Sequence, residues 1–273
     1  FFADLGTQQY FFTLTTYPPR ASILDRQGIP LALNKESLSA FMLPRMIKEQ
    51  TALKRFLKKH FAQAHDRLLK RPKSQFLYIK RNLSPAEQTL IKQSELKDIH
   101  LLSEPSRFYP IEASSTLTGI TDVDNKGLFG IELEFDKQLT GHPATTILEK
   151  DARSGLFYFS KQTAKEGIGG NPVSLTIDGN LQFLVHEELL DAVRKFDSKE
   201  GAVVVMNPET GEILAMASYP TFNPNNTSSL EQVSTKNTAV TESYEFGSVL
   251  KTFCALAALE EGLVTPGEEI DCM

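Results

Sequence analysis

Tyr244-Glu245-Phe246-Gly247-Ser248-Val249-Leu250-Lys251 is the stretch on which the reading of the whole chain turns. A long polar connection over residues 220–247 ends here, and a strongly helical run begins at Ser248 and continues to Gly262. A connection of that length inside a compact domain is usually functional. A serine hydroxyl is barely ionised at neutral pH, so as a nucleophile it needs a base. With Ser248 in a first helical turn, Lys251 stands three residues on, along the same helix face and within reach of the hydroxyl. Burial and a nearby positive group would favour the neutral amine, which could then accept the proton. The helix N-terminus favours negative charge near Ser248, and the Ser248 N–H could act as one oxyanion donor.

Taken alone, Ser-x-x-Lys is common as a surface serine beside a solvated lysine. Two features point the other way. Phe253, Cys254, Ala255, Leu256, Ala257, Ala258 and Leu259 make the helix almost wholly apolar, so burial is expected and a lysine near its start needs a reason. Gly247 permits a tight approach of the chain just before the serine. Cys254 reads as a small core residue. Cys254 and Cys272 are the only cysteines, too few for a disulfide framework and without partners at metal-ligand spacing. No metal and no cofactor is expected.

Working back from this stretch, a second unit starts near residue 172. Residues 173–177 read as a strand, and Asp178 as the cap of a helix over about 180–196 with Leu181, Leu184, Val185, Leu189, Ala192 and Val193 along one side. A strand over 202–206, a turn at Asn207-Pro208-Glu209-Thr210-Gly211 and a returning strand over 212–218 follow. Earlier, residues 11–16 are β-branched and aromatic, with Pro18-Pro19 as a stop, and a turn at Arg26-Gln27-Gly28 leads to a return strand over 29–33. Residues 45–69 read as one helix with Leu53, Phe56, Leu57 and Phe61 on its apolar face, ended by Pro72. Short strands are expected over 77–79 and 99–102, and Ser84-Pro85-Ala86-Glu87 is a helix start. Residues 119–141 are rich in glycine and acid, but the spacing fails for a calcium loop: position twelve from Asp122 is Leu133.

The chain has 273 residues, 41% of them apolar, and a net charge of -5, which gives room for real cores and no reason to expect nucleic acid. Charge is unevenly spread. From Lys48 to Arg81 there are eleven Lys or Arg against Glu49 and Asp66, a local +9 that leaves -14 elsewhere. Membrane headgroups are one reading of this run, and a solvated helix face is the commoner one. The longest apolar stretches fall far short of the roughly 20 residues a membrane helix needs. Phe1-Phe2-Ala3-Asp4-Leu5 and Cys272-Met273 both read as the cut edges of something longer.

Ordered along nearly the whole chain, these segments resemble the class B penicillin-binding proteins. Arg20-Ala21-Ser22-Ile23-Leu24-Asp25-Arg26-Gln27-Gly28 is similar to that family's entry motif, and Arg107-Phe108-Tyr109-Pro110 to its Arg-x-Tyr-Pro segment. Gly127-Leu128-Phe129-Gly130-Ile131-Glu132, running on to Leu139-Thr140-Gly141, resembles its Gly-x-x-Gly-x-Glu segment. Leu175-Thr176-Ile177-Asp178 with Gln182, then residues 207–216, resemble the start of its transpeptidase domain. Gly119-Ile120-Thr121-Asp122 and residues 219–225 resemble the division-type branch more than the elongation-type one.

The resemblance implies an α+β architecture. A mixed pedestal domain of the dimerisation type over 1–170 would be followed, over 171–273, by the truncated start of a serine transpeptidase α/β domain of the penicillin-binding and β-lactamase-like kind. It implies a peptidoglycan D,D-transpeptidase with Ser248 as nucleophile and Lys251 as base. The serine would attack the D-Ala-D-Ala bond of a stem peptide, pass the acyl group to a neighbouring strand, and be acylated by β-lactam antibiotics. Arg20, Asp25, Arg26, Gly28, Gly130 and Glu132 would be structural. A single-pass inner-membrane protein facing the periplasm, with its anchor outside this chain, is implied, as are membrane-embedded wall-synthesis or division proteins as partners. Phe246 stands where the family usually has Pro, and Ala21 where it has Gly. The family's Ser-x-Asn and Lys-Thr-Gly motifs do not occur in the 22 residues after Lys251, so an N-terminal piece of a longer protein is expected. Alternative readings are a docking module without chemistry, and a β-lactamase or β-lactam sensor.

Overall fold

The computed structural model describes residues 11–16, 18–150, 157–226 and 235–269. Residues 1–10 and Cys272, which entered the reading above, lie outside them, as does part of the 220–247 connection. The chain forms two units, residues 1–239 and 240–273.

In the larger unit, β1 (Phe11–Thr16) is followed by the two-residue β2 (Ile23–Leu24) and the 13-residue β3 (Pro30–Met42). The strand expected over 29–33 is therefore far longer. It persists because different stretches of it find different partners: Ala32 pairs Ile23, Leu33 to Phe41 pair the distant β5, and Ala40 to Met42 pair β4. The segment expected as one helix over 45–69 is instead a 3-10 turn, Pro44–Met46, then α1 (Gln50–His60) and α2 (Ala62–Lys70). The break is Phe61, whose φ of -141° and ψ of 62° leave the helical region while its ring stays buried. A straight helix over those residues would run roughly 35 Å, whereas the four-residue β4 (Leu77–Lys80) spans only about 13 Å. Breaking at Phe61 keeps Leu53 and Leu57 from one helix, and Ala64 and Leu68 from the other, in one core with Ala40, Met42 and Ile79. α3 (Pro85–Gln93) starts with a full capping box: Ser84 Oγ accepts from Glu87 N, and Ser84 N donates to Glu87 Oε2 at 2.9 Å. β5 (His100–Phe108) then runs the length of β3.

After a 3-10 turn at Glu112–Ser114 come three short helices, α4 (Ser115–Thr118), α5 (Gly130–Glu134) and α6 (Asp136–Thr140). The approach of α5 to the end of α4 requires two glycines. A Cβ on Gly119 (φ 72°) would sit 1.9 Å from the Phe129 carbonyl oxygen, and one on Gly130 (φ 66°) 2.7 Å from the Gly119 nitrogen. β6 (Ala144–Lys150) and β7 (Phe157–Lys165) form an antiparallel sheet with β1, in the order β1-β6-β7.

β8 (Val173–Ser174) pairs in parallel with β2. The strand expected over 173–177 stops early because the backbone changes partner. Leu175 N still donates to Leu24 O, but Asp178 N donates to Leu214 O. α7 (Gly179–Phe196) is capped by Asp178, whose carboxylate accepts from Asn180 N and Leu181 N. Its buried side is not the expected one. Gln182, His186, Leu189 and Val193 face inward, while Leu184 and Phe183 are exposed. Gln182 earns that place by satisfying three backbone groups. Its Nε2 donates to Ala113 O and Met216 O, and its Oε1 accepts from Met216 N, all within 2.9 Å. β9 (Gly201–Met206) and β10 (Ile213–Tyr219) make the expected hairpin against this helix. A second core holds Ile23, Leu31, Tyr109, Ile120 and Leu139 together with Val173, Ile177 and Phe222, so residues beyond 172 are packed into the centre of this unit.

The smaller unit contributes the end of α8 (Thr238–Thr241), a 3-10 turn at Gly247–Val249 and α9 (Leu250–Glu260). Among the described residues, no helix is long and apolar enough to cross a membrane.

Candidate functional site

Ser248 lies in the middle of the 3-10 turn Gly247–Val249, which runs without interruption into α9. Phe246, Val249 and Leu250 all have right-handed helical dihedrals, and Val249 N donates to Phe246 O at 3.1 Å. Ser248 and Lys251 are therefore held one turn apart on a continuous helical backbone. N–H groups in such a first turn have no partner within the helix, which leaves them available to an incoming anion. Phe246 has φ -75°, inside the range a proline ring imposes, so Phe in place of Pro leaves the course of the chain unchanged. Gly247 has φ 54°, which suits glycine, with open space on its Cβ side.

The expected burial of this helix is not observed. Every residue of α9 is exposed except the half-buried Ala258, including Phe253 at 65% and Leu256 at 55%. Ser248 and Lys251 are exposed as well. Cys254, expected in a core, is exposed and free. The physical reason is simple: the described residues of this unit supply one helix and its flanking turns, and no layer to lay against it. A helix apolar on every side is a helix built to be covered.

The charged residues of the larger unit form a second, buried cluster. Arg20 and Glu132 are 4% and 0% exposed. Arg20 Nε donates to Glu132 Oε2 at 2.7 Å, its Nη2 to the Glu132 carbonyl at 2.7 Å, and its Nη1 to Asp136 Oδ1 and Thr140 Oγ1, both at 2.7 Å. Arg107 Nε donates to the other Glu132 oxygen at 2.6 Å, and Arg107 Nη1 to Ala21 O at 2.9 Å. Tyr109 OH accepts from Thr121 N and lies 3.4 Å from Glu132 Oε1. Burial, then the Glu132 charge, push the Tyr109 phenol well up, so it stays protonated and able to donate. Glu132 thus joins the segment at 20, the end of β5 and the acidic loop. The Asp122 carboxylate of that loop turns back to accept from Asp124 N and Lys126 N at 2.8 and 2.9 Å. Among the described residues, no group of three or more His, Cys, Asp or Glu side chains is placed to hold a metal ion.

Asp25, 2% exposed, closes its own turn by accepting from Gln27 N and Ile29 N, and its second oxygen accepts from Gly179 N at the start of α7. Gly28 takes φ 81° in that turn. Arg26 makes only a long exposed pair with Glu212, 3.5 Å. Gly130 is the close-approach glycine described above. Arg107, Asp136, Tyr109 and Asn34 belong to the Arg20–Glu132 cluster but were not singled out from the sequence. Two buried guanidiniums need more than one carboxylate, and that requirement was the available signal.

Two carboxylates of the larger unit carry a pH dependence. Burial alone would raise Asp136, but the Gly127 N–H and the Arg20 guanidinium override it and hold the carboxyl below its usual range. Burial likewise opposes Glu104, and Arg81, Ser39 and Tyr78 hold it low. A folded value below the unfolded one means the unfolded chain takes up protons first as the pH falls. The stabilisation is fully present above the ordinary carboxylate range of about 4 and is lost as the pH drops through the folded values. Urea unfolding should show stability level from pH 7 to about 5 and falling below about 4, with a shallower fall in Asp136→Asn. A curve that stays level to pH 3 would contradict this assignment.

Comparison with known proteins agrees with this architecture. Residues 15–175 match the penicillin-binding protein dimerisation domain, and residues 201–273 the penicillin-binding protein transpeptidase domain. The chain is 34% identical over 267 residues to a probable peptidoglycan D,D-transpeptidase PbpC of Pseudomonas aeruginosa, covering 96% of this chain and 47% of that protein. It is 34% identical over 255 residues to the peptidoglycan D,D-transpeptidase FtsI of Escherichia coli K12, covering 90% and 43%. Penicillin-binding protein PBP2 of Helicobacter pylori, solved in complex with MreC, superposes with a TM-score of 0.64 at 21% identity, over 96% of this chain and 57% of that one. The chain belongs to the class B penicillin-binding proteins, the family of the D,D-transpeptidases FtsI, PenA and PbpC. It spans about half the length of the curated relatives it matches.

Proposed function

We propose that the chain is the pedestal and the opening of the catalytic domain of a peptidoglycan D,D-transpeptidase acting in septal wall synthesis. Ser248 is the nucleophile, Lys251 its base, and the Ser248 N–H one oxyanion donor. The observation that carries this reading is the unbroken helical backbone from Phe246 through Glu260, which sets Lys251 one turn beyond Ser248 at the head of an apolar helix. Its place within the residues matched by the transpeptidase domain supports the same reading. Lys251 deprotonates the serine as it attacks the penultimate D-Ala carbonyl of a stem peptide. D-Ala leaves as the acyl-serine forms, and an amine of a neighbouring strand then takes the acyl group. A β-lactam enters the same first step. The E. coli relative named FtsI supports the septal role and, with it, an inner-membrane protein whose pedestal faces the periplasm.

In this proposal the remainder of a transpeptidase domain covers α9. That cover removes water from Lys251 and favours its neutral form. The 273-residue chain alone, in which Lys251 is exposed, should therefore label poorly with a fluorescent penicillin, while the protein carrying a complete transpeptidase domain labels strongly and stably. Equal labelling of the two would contradict the proposed role of the cover. Rapid turnover of the penicillin, in place of a stable adduct, would favour a β-lactamase.

A further inference from the structure

The lobe built from α1, α2 and α3 carries a groove that the transpeptidase reading does not use. It has a volume of about 370 Å³ and lies between α1 and the end of α3. Ala52, Phe56, Leu90 and Leu96 give it an apolar floor, and Arg55, Lys59 and His60 stand along one wall. Phe56 is half-buried and stacks on His60 and Phe61, with ring centroids 5.1 and 5.9 Å away, so it is a fixed platform. The cations of the wall are different in kind from those elsewhere in the lobe. Arg81 is committed to Glu104 and Asp124, Lys80 to Glu87, and Arg67 to the Ile79 carbonyl. Arg55 and Lys59 are exposed and have no carboxylate partner among the described residues.

We propose that this groove binds an acidic amphipathic helix of a partner protein, with apolar side chains on the Phe56–Leu90–Leu96 floor and carboxylates against Arg55 and Lys59. Charge complementarity selects the sign of the partner: unpaired cations beside a desolvated floor suppress basic partners and speed the approach of acidic ones. Shape selects the class. The volume suits two or three apolar side chains, and the 11-residue α1 offers about 16 Å of wall, some three turns of a facing helix. A membrane surface would meet the cations but could not place apolar groups on a floor recessed between two helices. The inference stands apart from the catalytic one, since every residue it uses lies between 52 and 96.

The test is a titration of the chain with a labelled synthetic helix of about four turns bearing a Leu and Phe stripe flanked by Glu. The comparison probes are its charge-inverted Lys counterpart, an acidic version with Ser in place of the apolar stripe, and phosphatidylglycerol vesicles. The acidic amphipathic helix should bind at least about tenfold more tightly than either comparison peptide. R55E/K59E should weaken it by at least about tenfold and strengthen the Lys counterpart. K70E/R71E changes the net charge equally, at exposed residues outside the groove, and should weaken binding by less than about threefold. All substituted residues are exposed, and unchanged melting curves will verify that each variant is folded. Equal losses in the two double variants, indifference to the apolar stripe, or binding of vesicles in place of peptide would each overturn the proposal.

Discussion

Replacing Glu132 with Ala should remove about 3–5 kcal/mol of folding stability, measured by urea or thermal unfolding. Glu132 is fully buried and serves two guanidiniums at once, Arg20 at 2.7 Å and Arg107 at 2.6 Å. Arg20 would keep Asp136. Arg107 would keep only neutral partners, Ala21 O and Asn34 Oδ1, while its side chain remains 3% exposed. A buried charge left uncompensated is what makes this substitution costly, well beyond the direct worth of the bonds removed. Set against a typical total of about 5–15 kcal/mol, the loss should leave the unit marginal. Glu132→Gln keeps the shape and some hydrogen bonds but not the charge, and should fall between wild type and Ala. A loss under about 1 kcal/mol for Glu132→Ala would show that the cluster holds little of the fold together.

Ser248→Ala should abolish penicillin acylation in the protein carrying a complete transpeptidase domain, a loss of at least about 10³-fold in the acylation rate. The argument is chemical. Alanine leaves no oxygen to form the ester, so whatever binding remains leads to no covalent product. Lys251→Met keeps the hydroxyl and much of the packing but removes the base, and should slow acylation to a similar degree, because residues that act as a unit are not additive. The double variant should be no worse than either single one. Persistent labelling of Ser248→Ala would remove Ser248 from the mechanism, and near-normal labelling of Lys251→Met would remove the base.

Local features were the most legible in the sequence. The Ser84–Glu87 capping box, the Asp178 cap and the Asn207–Gly211 turn depend on residues within a few positions of one another, and residue type alone specifies them. What the sequence hid was set by distant partners. β3 runs on to Met42 because β5, some sixty residues away, pairs along it. The inward face of α7 holds Gln182 and His186, polar residues that an apolar stripe excludes. Gln182 belongs inside because Ala113 and Met216 present backbone groups that need it. The break at Phe61 depends on the size of the sheet beneath, which no helical periodicity encodes. At the candidate site, the Ser-x-x-Lys spacing and the helix that carries it were both readable. The exposure of that helix was not, because composition shows that a helix needs cover without showing what covers it.

Glu132 and Ser248 bear on different claims, and the central one is the nucleophile. The most direct measurement is peptide mapping by mass spectrometry after the protein carrying a complete transpeptidase domain has reacted with a penicillin. The account predicts a single acylated peptide, with the added mass on Ser248. Adduct on any other residue, with the Ser248 peptide recovered unmodified, would contradict it.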